Sequence, residues 1–173
     1  MIEDMGAKLK AVKAPEIEVI ETESDNQNAV ASLVIGLLSG ATKSVQMSTT
    51  LFPDFYQGRD QVQLAVTEAA KRCKGNFDIL LDLEAKPDEL RDKVPFIFEL
   101  AKKNLVKLHH STLPVPHWLI IDGRDARIEK PHPLYEPTGS NTVVWNMTAD
   151  LSKEMQEKFR QFVALASPVP SEP

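Results

Sequence analysis

Charged and histidine side chains gather in one stretch of the sequence, between residues 117 and 132. The stretch contains His117, Asp122, Arg124, Arg127, Glu129, Lys130 and His132. Histidine, arginine and lysine can donate hydrogen bonds to an anion, and carboxylates can accept them from hydroxyl groups. These residue types predict a small pocket for an anionic or sugar-like ligand. Solvated charges at the ends of two strands are the alternative that the residues leave open.

A predicted β-hairpin brings these side chains together. Trp118-Leu-Ile-Ile121 is typical of a buried strand, Asp122-Gly123 of a tight turn, and Ala126-Arg-Ile-Glu-Lys130 of the returning strand. We therefore predict a ligand site, with no catalytic residue, formed by His117, Arg127, Glu129, Lys130 and His132. If the ligand is an anion, its binding should strengthen below about pH 6.5, where an unperturbed histidine gains its proton.

Other site chemistries find little support. His109 and His110 could join the two histidines of the hairpin in a metal site, but no CxxC or HExxH spacing accompanies them. The chain has no G-x-S-x-G, G-x-G-x-x-G or Walker loop. We therefore predict neither a metal nor a cofactor. The basic run at Lys71, Arg72 and Lys74 is explained by a helix C-terminus, where cations offset the macrodipole.

The elements that must position this site alternate between strands and helices. Residues such as Glu16-Ile-Glu-Val-Ile-Glu21 alternate polar and apolar, which predicts a strand, whereas Ala29 to Leu38 has helical spacing. The predicted order is β-α-β-α-β-α-β, then the hairpin, one more strand and a C-terminal helix. This order predicts an α/β/α sandwich with a mixed, mainly parallel sheet. Its central, buried strands are expected at Ile79–Leu81 and Leu119–Ile121.

The chain of 173 residues is predicted to form one domain. We place a lead-in or linker remnant at 1–15, the domain at 16–166 and a disordered tail at 167–173. The single cysteine, Cys73, fits a reducing cytoplasm, which is the expected location. No targeting segment and no bilayer-length apolar run are visible. A net charge of −5 makes nucleic acid an unlikely partner for this domain alone, and no membrane partner is expected.

Four segments in this order resemble the phospholipase-D-like domain. They are Ala41-Thr-Lys-Ser-Val-Gln-Met-Ser-Thr49, Ala65 to Leu81, the hairpin from His117 to Glu129, and the closing strand with the Phe159-Arg-Gln-Phe162 helix. The resemblance covers residues 16–166. It implies the phospholipase-D-like form of the α/β/α sandwich.

The catalytic motif of that family, H-x-K-x-x-x-x-D, is incomplete here. Setting Asp122 on the motif aspartate puts Val115 at the nucleophilic histidine and His117 at the phosphate-binding lysine. Valine has no lone pair with which to attack phosphorus. The shifted alignment, with His117 as nucleophile, places Leu119 where the lysine should be. Against the family's following G-S-x-N, this chain has Glu129, Lys130 and His132, so the resemblance implies a catalytically degenerate relative.

Three functions follow from this resemblance. The first is a noncatalytic ligand-binding or sensor domain, of the kind found as the effector part of transcription regulators. The second is a phosphodiesterase or nuclease that acts as a homodimer, although the histidine–lysine pair it needs is missing. The third is a protein-interaction module. Since single-motif relatives pair their motifs across a twofold axis, we also expect a homodimer, which a sedimentation mass near 19.3 kDa would contradict.

Overall fold

A computed structural model describes residues 16–21, 27–129 and 140–170 of the chain. Lys130 and His132 of the predicted site, and the predicted lead-in at 1–15, lie outside these residues. No helix in the described ranges is both long and apolar enough to cross a membrane.

The described elements follow the predicted order of strands and helices. The strands are β1 Glu16–Glu21, β2 Val45–Thr49, β3 Phe77–Leu81, β4 Lys107–His110, β5 His117–Ile121, β6 Asp125–Glu129, β7 Ser140–Trp145 and β8 Ser167–Pro168. The helices are α1 Gln27–Ser39, α2 Pro53–Tyr56, α3 Asp60–Cys73, α4 Pro87–Lys93, α5 Pro95–Lys102 and α6 Ala149–Leu165. Proline stands at the start of α2, α4 and α5, where its missing N–H costs no helical hydrogen bond.

The strands form one mixed sheet in the order β1-β7-β6-β5-β2-β3-β4-β8. The predicted α/β/α class is confirmed, but the expectation of a mainly parallel sheet is wrong. Only β2–β3 and β3–β4 pair in parallel among the described strands, and the other five pairings are antiparallel. A parallel pair of strands needs a crossover connection such as a helix. The predicted β1–α1–β2 unit would have added one parallel pair, but β1 pairs antiparallel with β7 instead.

Successive residues of the central strands point to opposite faces of the sheet, and helices cover both faces. Ile79 and Leu81 belong to the larger apolar cluster, which α1, α3 and α5 complete. Leu80 and Ile120 belong to the smaller one, against Phe159 of α6. The predicted buried strands are confirmed, since Ile79–Leu81 and Leu119–Ile121 are each at most 2% exposed.

The turn of the hairpin is anchored to the loop before β2. Asp122 and Gly123 both have positive φ angles, as the two central residues of a type I′ turn do. The Asp122 carboxylate accepts hydrogen bonds from the backbone N–H groups of Thr42, Lys43 and Ser44 at 2.8–3.2 Å. Burial would raise the pKa of Asp122, but these hydrogen bonds lower it below its usual value. Asp122 is therefore structural and lies at the far end of β5 from His117.

The predicted disordered tail is wrong for residues 167–170. Ser167 and Pro168 pair with β4, and the Val169 N–H donates to the Leu108 carbonyl at 2.9 Å. Arg91 donates to the Pro170 carbonyl, also at 2.9 Å. The proline-rich composition suggested disorder, but an unpaired edge of β4 and a core contact through Val169 hold the segment in place.

Candidate functional site

The candidate site lies at one end of the central strands, where β2 and β3 end and where β5 begins. His117 opens β5 and is directly opposite Glu129, the last residue of β6. Asp82 follows β3, and α2 follows β2 after a short loop. In α/β sheets, ligands bind at the carboxyl ends of the parallel strands. The open end of the predicted hairpin, with His117 and Glu129, thus lies at the end of the parallel strands where a ligand site is expected.

His117 lies between two carboxylates. Its Nδ1 is 3.4 Å from Oε2 of Glu129, and its Nε2 is 3.8 Å from Oδ2 of Asp82. Burial alone would lower the pKa of His117, but hydrogen bonds and charge interactions with these two carboxylates raise it to about 9. The imidazole is therefore protonated at neutral pH, and both ring nitrogens carry protons.

Two backbone N–H groups hold the carboxylate of Asp82 in place. Its Oδ1 accepts hydrogen bonds from the N–H groups of Leu83 at 2.7 Å and Val115 at 3.1 Å. Burial would raise the pKa of Asp82, but its interaction with the His117 imidazole, 3.8 Å away, and the hydrogen bonds from these two N–H groups lower it. Asp82 therefore joins the end of β3 to the segment that leads into β5, and it faces His117 as an anion.

Arg127 supplies a second buried cation. Its Nη2 donates to Oε2 of Glu129 at 2.8 Å, and the whole residue is 8% exposed. Burial would raise the pKa of Glu129, but His117 and Arg127 lower it to about 2. Within the described structure, the buried Nε of Arg127 has no hydrogen-bond partner. Such a buried donor costs free energy unless an acceptor reaches it.

Tyr56 borders the cluster from the side of α2. It is 7% exposed, and its hydroxyl oxygen accepts from the Thr49 hydroxyl at 3.4 Å. Burial raises the pKa of Tyr56, against the opposing effects of the Thr49 hydrogen bond and the positive charge of Arg127. Tyr56 is thus a neutral hydroxyl group beside the charged residues. The segment between β2 and the end of α2 packs into the core at this point, with Leu51 fully buried.

Three of the five predicted ligand-binding residues come together, and two others cannot be placed. His117, Arg127 and Glu129 form one hydrogen-bonded group, whereas Lys130 and His132 lie outside the described residues. Sequence reasoning did not include Asp82 and Tyr56 among the ligand-binding residues. The available signal was their position just after strands β3 and β2, at the end of the strands where ligands bind.

Among the described residues, no three histidine, cysteine or carboxylate side chains are arranged to hold a metal ion. Nε2 of His109 lies 3.3 Å from Oδ1 of Asp78, on β4 and β3. This pair is separate from the cluster around His117.

The fold is that of phospholipase-D-like α/β domains. Nuc from Salmonella typhimurium, a phospholipase D family member, is similar to this chain with a TM-score of 0.64 and 16% identity, over 90% of this chain and 99% of that chain. NucT from Helicobacter pylori has a TM-score of 0.64 and 12% identity, over 90% of this chain and 100% of that one.

A DNA-binding protein has the same fold over a part of its length. TrmBL2, an archaeal chromatin protein, matches with a TM-score of 0.64 and 17% identity, and the match covers 96% of this chain but 59% of that chain. No family model and no curated protein matches the sequence. The similarity is therefore one of fold.

Proposed function

We propose that this chain is a noncatalytic, ligand-binding regulatory domain. The observation that carries the proposal is the residue at the position of the nucleophile. With Asp122 as the motif aspartate, that position is Val115, which is 3% exposed and uses its backbone N–H to hold Asp82. A buried aliphatic side chain cannot form the covalent intermediate on which phosphodiester cleavage by this fold depends.

His117 is poorly suited to replace the missing nucleophile. A nucleophilic imidazole needs an unprotonated nitrogen that faces the substrate. With a pKa of about 9 and a carboxylate beside each ring nitrogen, His117 is an imidazolium at neutral pH. Its two ion pairs support a positioning role, in which it holds Asp82 and Glu129 at the edge of the site.

The described part of the site favours a neutral, hydroxyl-rich ligand over a strong anion. His117 and Arg127 carry two positive charges, and Asp82 and Glu129 carry two negative charges, so the cluster is balanced. Carboxylates that are already ionised accept hydrogen bonds from hydroxyl groups, and the guanidinium of Arg127 is a donor group in the same cluster. A sugar or a sugar-like polyol supplies both kinds of partner. Lys130 and His132, which lie outside the described residues, are the proposed donors to a phosphate group.

The effector part of a transcription regulator is the setting we propose for this domain. TrmBL2, a chromatin protein, contains this fold as about three fifths of its chain. We further propose that the domain is cytoplasmic and pairs as a homodimer across a twofold axis, the commonest geometry of homo-oligomers. The alternative of a dimeric phosphodiesterase draws support from the similarity to a phospholipase D family member.

A thermal-shift screen of sugars, sugar phosphates, nucleotides and inorganic phosphate tests the ligand-binding proposal. We expect at least one sugar or sugar phosphate, at millimolar concentration, to raise the melting temperature. The variant R127K replaces the planar guanidinium, with its several N–H donors, by a single ammonium group. It should therefore weaken binding of that compound at least tenfold by calorimetry. The variant R160K on the exposed face of α6 is the matched control and should bind as the unaltered chain does.

The pH dependence of binding separates His117 from an ordinary histidine. Since the pKa of His117 is raised to about 9, its charge is the same at pH 5.5 and pH 8.0. The expected gain of affinity below about pH 6.5 therefore does not come from this residue. His132 is the other histidine of the predicted ligand-binding set. If no compound shifts the melting temperature, the cluster is an internal ion-pair network and the ligand-binding proposal fails.

A further inference from the structure

Four loops meet at the end of the central strands that lies opposite the candidate site. They precede β2, β3 and β4 or form the β5–β6 turn. The guanidinium of Arg72, at the end of α3, donates to the Ala41 carbonyl at 2.8 Å. The Lys43 N–H donates to Asp122 at 2.8 Å. A Cβ added at Gly75 would lie 3.1 Å from the Asn104 carbonyl oxygen. These contacts make the four loops one continuous surface.

Four exposed lysines lie at this end, and we call them the basic rim: Lys43, Lys74, Lys103 and Lys107. None of them has a carboxylate oxygen within ion-pair distance in the described part of the chain. The neighbouring cations are engaged, since Lys71 pairs with Glu68 and Arg124 pairs with Asp125. The rim therefore gathers four lysines without ion pairs on a chain whose net charge is −5. Two carboxylates lie beside it, but Asp78 faces His109 and Asp122 accepts from backbone N–H groups.

Helix dipoles explain only half of the rim. Lys74 and Lys103 are the residues at the C-terminal ends of α3 and α5, where a cation offsets the partial negative charge. Lys43 lies in the loop before β2, and Lys107 is the first residue of β4, so neither stands at a helix end. Their presence beside the other two indicates a surface for a negatively charged partner.

We propose that the basic rim binds the phosphate backbone of duplex nucleic acid. The starts of β2, β3 and β4 are adjacent, so the rim spans two strand spacings of about 4.8 Å, or roughly 10 Å. A duplex carries one phosphate charge per about 1.7 Å of its axis, which offers roughly six phosphates over that distance. Each strand contributes about three of these, and those on the side that faces the rim are within reach of its lysines without bending the duplex.

The composition of the rim favours nucleic acid over a membrane or an apolar protein surface. The exposed large apolar side chains in the described residues are Leu64, Leu83, Leu113 and Leu165. None of them lies in the loops that carry the rim, whose other residues include Thr42, Asn76 and Asn104. Membrane binding usually adds apolar side chains that enter the lipid, and the rim has none. The net negative charge led to the opposite prediction, that nucleic acid is an unlikely partner. Net charge gives no information about where the lysines lie on the surface.

Fluorescence anisotropy with a labelled 24-base-pair DNA duplex tests the proposal, over a salt series from about 20 to 200 mM NaCl. We expect binding that weakens steeply with salt. The triple variant K43Q/K74Q/K107Q should lose at least tenfold in affinity at about 50 mM salt, and its salt slope should fall by about 2 to 3, close to one per lysine removed. The control K86Q/K93Q/K158Q removes the same charge from distant helices and should change affinity less than twofold.

Several results would overturn the proposal. They are no duplex binding at the lowest salt, an equal loss in the rim and control variants, binding to phosphatidylserine vesicles in place of the duplex, and tighter binding to polyglutamate than to the duplex. The sugar and sugar-phosphate screen is independent of this experiment, because the rim lies at the end opposite His117. The rim variant should keep the melting-temperature shift that a site ligand produces.

Discussion

Replacing Leu80 by aspartate should abolish soluble folding. Leu80 is fully buried on the sheet face that α6 covers, in one cluster with Ile120 and Phe159. A carboxylate there would have no partner, and an unpaired buried charge costs at least several kcal/mol. Because a domain of this size is stable by about 5–15 kcal/mol, one such change removes most or all of its stability. Soluble yield and circular dichroism of the purified variant measure the effect.

The matched control is L64D on α3. Leu64 is 62% exposed, so an aspartate there remains in water and should leave yield and melting temperature close to those of the unaltered chain. A soluble L80D protein with an unchanged melting transition would show that β3 does not lie between two covered faces, and the assigned sheet would be wrong.

Replacing Glu129 by glutamine should have the second largest effect. The change keeps the shape of the side chain but removes the anion that faces both His117 and Arg127. Removing one member of a buried ion pair leaves the other charge uncompensated, which costs on the order of 3 kcal/mol. Urea unfolding at pH 6 should therefore show a free energy of unfolding lower by about that amount. The control E89Q alters two exposed ion pairs, with Lys86 and Lys93, and should leave the free energy of unfolding close to that of the unaltered chain.

The dependence of stability on pH gives E129Q a second readout. The folded-state pKa of His117 is raised to about 9, so its contribution is complete below about 6.5 and is lost as pH rises to 9. The folded-state pKa of Glu129 is lowered to about 2, so its contribution is complete above about 4.5 and is lost as pH falls to 2. The cluster therefore stabilises most between about pH 4.5 and 6.5. In E129Q, the loss between pH 6.5 and 9 should be smaller, and an identical profile would contradict the proposed pairing.

Local patterns predicted most elements of this fold and the β5–β6 hairpin, whereas the pairing of strands that are distant in sequence was not accessible from them. The alternation in Glu16–Glu21 and the apolar centre of Phe77–Leu81 identified both strands correctly. The pairing of β1 with β7 joins segments more than a hundred residues apart, and no local pattern records it. Residues 167–170 were misjudged for a related reason, since their order comes from the distant edge of β4.

The candidate site could be predicted to the extent that it lies on one hairpin. The predicted hairpin brought His117 close to the start of the 129–132 segment. The structure places it opposite Glu129 because the loop between the paired residues Ile121 and Asp125 consists of residues 122–124. Asp82 is far from the hairpin along the chain and reaches His117 only because β3 lies one strand beyond β2. Without Asp82 and the burial of the cluster, the raised pKa of His117 could not be foreseen, so the expectation of titration near pH 6.5 did not apply to it.

Hydrolysis of bis-p-nitrophenyl phosphate and of DNA, by the purified chain and by H117A, tests the central claim most directly. We expect the unaltered chain to release no more product than buffer alone across pH 5 to 9, because Val115 stands at the position of the nucleophile and His117 is protonated. A mock purification in parallel accounts for contaminating nucleases. Robust turnover that disappears in H117A while the melting temperature is preserved would contradict a noncatalytic domain and would make His117 the nucleophile.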